Sequence, residues 1–173
     1  MSSSYMRIDG IDDFKGMATV KDIGSKKGFF PIDSLSFGFS RSIYVAVGAS
    51  GDAETGIPSL GDISISRVND AASAILETMF FAPGKVGKTI ELVTTKTKND
   101  GKGLQPTMVI TLEEARLSSY SYQGEFTSMT IAFTVVSIAH YFETEAGEVV
   151  KSDTVKFDLK TGELVSGNTD AQK

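Results

Sequence analysis

A mainly β fold with one short α-helix is what this sequence of 173 residues predicts. Three observations carry it. Apolar and polar residues alternate in several windows, as in Leu35, Phe37 and Phe39 against Ser36, Gly38 and Ser40, which is the period of a strand with one buried face. One window breaks that rule: Ile75, Leu76, Met79 and Phe80 fall at helical spacing behind Asp70, and Pro83 with Gly84 stops the run. Glycine-rich stretches at 48–61 and 99–103 punctuate the remainder as turns.

Taken in order, residues 5–9 read as a first strand. The polar stretch 10–28 reads as loop, with a short strand near 17–20. Residues 29–47 are rich in Phe, Ile, Val and Ser and form a half-buried strand that continues, or restarts, at 44–47. The segment 48–61 holds Gly48, Gly51, Gly56, Pro58 and Gly61 and reads as a loop; structureless connections of this length, roughly a dozen residues, tend to be functional or mobile. Residues 62–67 form a strand leading into a helix over 70–81, where the Asp70 carboxylate is placed to accept from the free amides of the first turn. The amphipathic helix is expected against a sheet or an open barrel end. Residues 89–96 form the next strand, and the NDGKG turn (99–103) leads to a strand at 107–117, in which Met108, Ile110 and Leu112 alternate with Thr107, Val109 and Thr111. A long strand at 129–142 alternates Ile131, Phe133 and Val135, then changes face at Val136 and Ile138, which predicts a bulge near Val135 and Val136. Val155, Phe157 and Leu159 give a last strand. One domain is expected over 1–165, with a flexible polar tail at 166–173. No internal repeat or linker is visible.

Composition removes several function classes. Apolar residues make up 40%, enough for a core, and the absence of Cys excludes disulfides, thiolate metal sites and thiol catalysis. A net charge of −5 and a pI near 4.9 oppose a general nucleic-acid partner, which needs clustered Lys and Arg. The N-terminus has no apolar run behind a basic start, and no stretch approaches the ~20 apolar residues of a membrane span. Neither a secretory signal nor membrane insertion is expected.

The motifs with chemical content each meet a bland reading. APGKVGKT (82–89) spells a loose phosphate loop, but such a loop runs from a strand into a helix N-terminus, and here the helix comes first. Lys88 and Thr89 would sit on the C-terminal side of the helix, where carbonyls repel anions. His140 is the sole histidine and cannot build a His-rich metal site; it and Ser137 do not converge on one strand face, so it reads as structural. Asp9, Asp12 and Asp13 lack calcium-loop spacing and read as a solvated turn. Glu113 and Glu114 point to opposite faces of a strand and form no acid–base pair. Lys96, Lys98 and Lys102 are scattered around a turn. No catalytic set or cofactor site emerges, and no enzyme is expected.

Four segments, YMRIDGIDDFKG, LSFGFSRS, DISISRVNDAASAIL and VITLEEARLSSY, taken in this order, resemble the haemolysin-coregulated protein (Hcp) family, the tube subunit of bacterial type VI secretion. YMRIDGIDDFKG (5–16) resembles its opening strand and Lys-Gly turn. LSFGFSRS (35–42) resembles its aromatic-Ser-aromatic-Gly stretch, although Leu35 and Phe37 stand where many members carry Trp. DISISRVNDAASAIL (62–76), continuing to Phe80, resembles the strand entering its single helix, and VITLEEARLSSY (109–120) resembles the following strand with its Ser-Ser pair. The resemblance implies a compact β-barrel or two-sheet fold with one short α-helix packed at the side, as in contractile phage tail tubes. It implies homohexameric rings stacked into a hollow tube, sheath and spike or tip proteins as partners, and effector proteins carried in the lumen. It implies a subunit that is cytoplasmic before assembly and is then secreted by the type VI route without a signal peptide. Ser36 matches a family serine that faces the lumen and cargo. Stacking needs a protruding element, and the length and glycine content of 48–61 nominate Gly48, Gly51, Asp52, Glu54, Gly56 and Pro58 for it. From the residues alone, a monomeric β-barrel binding a small ligand in its interior is the alternative, and a nucleotide-dependent enzyme using 82–89 a third.

Overall fold

The computed structural model describes residues 2–11, 23–24, 26–44, 47–48 and 54–166. In chain order the strands are β1 (Ser3–Ile8), β2 (Phe30–Ile32), β3 (Ser34–Ser36), β4 (Phe39–Ser40), β5 (Ile43–Tyr44), β6 (Glu54–Thr55), β7 (Ser59–Leu60) and β8 (Ile63–Val68). The helix α1 (Ser73–Phe81) follows. Then come β9 (Lys88–Thr97), β10 (Leu104–Gln123), β11 (Phe126–Ala132), β12 (Val135–Glu143), β13 (Val149–Asp158) and β14 (Glu163–Ser166).

The fold follows from one long strand that serves two sheets. The first half of β10 pairs antiparallel with β9 on one side and β12 on the other; its second half pairs with β11. The first sheet runs β2-β1-β9-β10-β12-β13-β14, and the second runs β10-β11-β8-β3. The bend falls at Glu113 and Glu114. Glu114 is the one described non-glycine residue with positive φ (51°), and the β9 register slips between Leu112 and Ala115. A second crossing occurs at Asp33, between β2 in one sheet and β3 in the other, where the Asp33 amide donates to the Ser66 carbonyl at 2.8 Å. The two-sheet form of the expected fold is therefore what is found; the sheets do not close into a barrel.

Between the sheets lies the core. Met6, Phe30, Ile65, Leu76, Leu92 and Met129 are fully buried there, each side chain contributing about 1.5–3 kcal/mol by leaving water. A smaller cluster of Ile23, Phe29 and Val93 covers the outer face of the first sheet. That explains why β9 is buried on both faces at its centre, from Ile90 to Val93. Glu91, on the same covered face, is neutralised by Arg7 at 3.1 Å and by Lys26.

Several expectations change in detail. The strand foreseen over 29–47 is four short strands, because the chain leaves the first sheet at Asp33 and then extends away from the second. The strand foreseen over 129–142 is two strands in different sheets. The change of face at Val135 and Val136 marks the crossing, where the Thr134 amide donates to the Glu113 carbonyl at 3.1 Å, and the register slip within β12 lies between Ala139 and Tyr141 instead. Ala72, not Asp70, holds the N-cap position of α1, and its side chain caps nothing. Asp70 instead accepts from the Ala72 amide at 2.8 Å in the turn before the helix. The apolar stripe is as expected: Ile75, Leu76, Met79 and Phe80 face the core. The expected turn at 99–103 is closed by the Lys98 amide on the Gly103 carbonyl. The last strand expected, at Val155 to Leu159, is followed by one more, β14, which takes in Ser166, the first residue of the tail expected at 166–173; the rest of that tail and the short strand expected at 17–20 lie outside the described residues.

Candidate functional site

The expected loop at 48–61 is the outer part of a projecting hairpin arm. β4 pairs with β7 and β5 with β6, and the bonds Gly61 amide to Gly38 carbonyl (3.1 Å) and Gly56 amide to Ser42 carbonyl (2.8 Å) continue the ladder. Strands of two residues carry too little sequence to show a period, which is why 54–60 reads as loop. Of the residues nominated for stacking, Gly56 and Pro58 sit on the returning limb, Glu54 begins it, and Gly48 lies in the turn region with φ of 81°. Gly51 and Asp52 lie outside the described residues. A two-stranded arm is marginal on its own in water, and this one leaves Phe39 67% and Ile43 62% exposed.

Beside the arm lies an open apolar groove of about 500 Å³. Phe39, Ile43 and Leu60 form one wall, and Ile138, Val155 and Leu164 from the β12–β14 side form the other. The groove is continuous with the core: Val136 at its floor is buried there, and Phe37, Ile138 and Phe157 pack against it.

Ser36 sits on the solvent face of the second sheet, which is made of hydroxyls. The register places Ser34, Ser66, Ser128 and Ser121 in one row across β3, β8, β11 and β10. Ser36, Ser64, Thr130 and Ser119 form the next. Within these rows Ser34 and Ser66 share a hydrogen bond at 2.6 Å, and Ser119 and Thr130 share one at 2.7 Å. The opposite phase of the same strands (Ile63, Ile65, Met129, Ile131) forms the core. Alternation therefore fixes a neutral, polar face with no ionised side chain in either row.

The remaining motifs stay apart. Residues 82–89 follow a helix and enter β9, and the Lys85 carbonyl accepts from the Arg116 guanidinium at 2.8 Å. The segment thus presents a carbonyl to a cation rather than a nest of amides to an anion. His140 is exposed on β12. Asp9 pairs with Arg7, while Asp12 and Asp13 lie outside the described residues. Glu113 and Glu114 take different lysines, Lys156 at 3.2 Å and Lys160 at 2.7 Å. The Lys160 hydrogen bond, helped by Thr134, holds the Glu114 carboxyl below its ordinary 4.5. Lys96 is not a scattered surface charge: it binds Glu143, and with Asn99 it lowers that carboxyl too. A depressed carboxyl favours the fold above its ordinary value, and that contribution is lost as pH falls through the lowered one. Among the described residues no cluster of His, Asp or Glu is placed to hold a metal, and no helix is long and apolar enough to cross a membrane.

Fold and surface together define a two-sheet β protein with a side helix, a projecting arm and uncovered apolar and hydroxyl faces. The family model described as "Type VI secretion system effector, Hcp" matches residues 5–140, and the chain belongs to this Hcp family of type VI secretion tube proteins. The fold is similar to that of a solved type six secretion system protein, at 18% identity and a TM-score of 0.76, with 95% of this chain and 99% of that one covered. It is also similar to Hcp1 from Salmonella typhimurium (18% identity, TM-score 0.61, coverage 95% and 99%). A type VI secretion system effector from Yersinia pestis shares it as well (14%, 0.57, coverage 90% and 98%). No curated protein matches the chain.

Proposed function

We propose that this chain is a ring-forming subunit: six copies close into a ring, rings stack into a hollow tube, and effector proteins travel in the bore. The tube works with the sheath and spike proteins of type VI secretion and leaves the cell by that route. The observation that carries this reading is the uncovered arm and groove. Phe39, Ile43, Val155 and Leu164 form a contiguous apolar surface that a single copy leaves wet, and such surfaces mark association sites. Lateral, head-to-tail contact between identical copies closes a ring when its rotation closes. In this arrangement the arm reaches a neighbouring ring, through Gly48, Gly51, Asp52, Glu54, Gly56 and Pro58, and the hydroxyl face bearing Ser36 lines the bore. A neutral lining supports that role: hydroxyls hydrogen-bond a passing chain without the charge that would hold or repel it.

A native mass about six times 18.5 kDa is the expected result for the purified chain. Deleting residues 49–53 is expected to leave that mass and to abolish stacking in negative-stain images. A monomer at high concentration defeats the ring; unchanged tubes after deletion defeat the arm's role. Ser36→Arg places a cation in the hydroxyl rows and is expected to reduce effector co-purification severalfold with ring mass unchanged. Equal retention would remove Ser36 from the cargo-facing surface.

A further inference from the structure

A second concavity, of about 190 Å³, lies at the far end of the helix and is built from aromatic rings. Phe80 and Phe81 close α1, and Tyr120 and Tyr122 come from the end of β10. Their planes meet at steep angles: 87° for Phe80 and Phe81, 53° for Phe80 and Tyr120, 66° for Tyr120 and Tyr122, with centroids 5.3–6.5 Å apart. The rings therefore stand as walls around a corner rather than as a flat stack. Phe81 is 82% and Tyr122 56% exposed, far more than packing requires.

Three features give this corner a sign. Glu77 lines it one helical turn before Phe80 and Phe81 and has no ion-pair partner among the described residues. The last turn of α1 carries no basic residue, so the negative end of its dipole is uncompensated. The Tyr120 hydroxyl is buried without a hydrogen-bond partner. Ring faces, a carboxylate and a helix C-terminus all attract positive charge.

We propose that the corner is a cation-recognition site that takes one lysine or arginine side chain of a docking protein. A volume of this size suits a single cationic head. The carboxylate decides between a basic side chain and a quaternary ammonium, because only the former has N–H groups to donate to Glu77. The acidic balance of the chain favours the same kind of partner.

The test titrates the full chain with Nα-acetyl-arginine amide and, separately, with tetramethylammonium chloride, following the Phe and Tyr ring protons by NMR against a sodium chloride control. Saturable shifts with the arginine derivative are expected. Glu77→Gln is expected to weaken them roughly tenfold, and the double variant Phe81→Ala/Tyr122→Ala to abolish them. Both changed rings are solvent-exposed, and an unchanged melting temperature checks that the fold is kept. No saturation with either cation overturns the site. Equal affinity for tetramethylammonium, indifferent to Glu77→Gln, overturns the basic side chain as its occupant. These readouts need no assembly, so failure of the ring reading leaves them decisive.

Discussion

Arg67→Ala is expected to lower the unfolding free energy by about 3 kcal/mol, read from urea denaturation at fixed protein concentration. Arg67 is 1% exposed at the end of β8. Its guanidinium donates to the Ser73 hydroxyl at 3.0 Å and to Asp70 at 2.5 Å, and it lies 5.2 Å from the centre of the Phe30 ring. Asp70 in turn accepts the Ala72 amide, and the Asn69 side-chain oxygen accepts from Ser73 and Thr127. Arg67 thus ties β8 to β2 and to the start of α1, and Asn69 extends the network to β11 through Thr127. Breaking a buried ion pair from one side costs roughly 3–5 kcal/mol. An opposing term reduces it: Arg67 Nε is buried without a partner, a penalty of about 1–3 kcal/mol that truncation removes. The balance stays unfavourable because truncation also opens a cavity beside Phe30. Arg67→Lys keeps the charge, loses the planar fork, and should fall between wild type and Arg67→Ala. A change under 0.5 kcal/mol for Arg67→Ala would mean that the helix is seated by its apolar stripe alone.

The strands and the helix were legible because each has a period. The corner of the fold leaves a trace in the sequence, although over 129–142 that trace reads as a bulge within one strand. The inward row of β10 runs Ile110, Leu112, then Ala115, Leu117, a jump of three. The next two strands run Ile131, Phe133, then Val136, Ile138, a jump of three again. A lone jump resembles a bulge. The two together lie side by side in space, where the Thr134 amide meets the Glu113 carbonyl, and mark the line along which the chain changes sheet. The arm lacked any such signal, since its paired segments are two residues long. Of the surfaces, the hydroxyl face was visible only in part: Ser36 lies in the alternation at 35–40 and Ser64 and Ser66 in the strand expected at 62–67, whereas Ser119, Ser121 and Ser128 fall beyond the strands expected at 107–117 and 129–142. Their lateral order needs the strand register, which no local pattern contains. The aromatic corner was not legible, because Phe80 and Tyr120 come from elements 40 residues apart and meet only through the packing of α1 on β10.

Gly87→Ala is the other substitution expected to have a large effect, about 2–3 kcal/mol of lost stability in the same denaturation experiment. Gly87 completes the phosphate-loop spelling at 82–89, and the structure gives it a different reason to be glycine. A Cβ at this position would lie 2.4 Å from the carbonyl carbon of Glu114, 2.6 Å from its oxygen and 2.8 Å from its Cα. These are backbone atoms at the bend of β10, where φ is already positive at Glu114 and the pairing with β9 slips. Neither side yields easily: the next pair, Lys88 with Ala115, re-enters the ladder at once, and Arg116 holds the Lys85 carbonyl just upstream. The clash is with main chain, so shortening the neighbour's side chain cannot relieve it. Glu114→Gly removes the cost of holding a side chain at positive φ, about 1–2 kcal/mol, and loses solvent-exposed contacts with Lys160 and Thr134. It should therefore be neutral or mildly stabilising alone and fail to rescue Gly87→Ala. Full rescue by Glu114→Gly would show that the corner can open by relaxing the bend, and near-neutral Gly87→Ala would show that β9 can stand off from β10 without disturbing the junction of the two sheets.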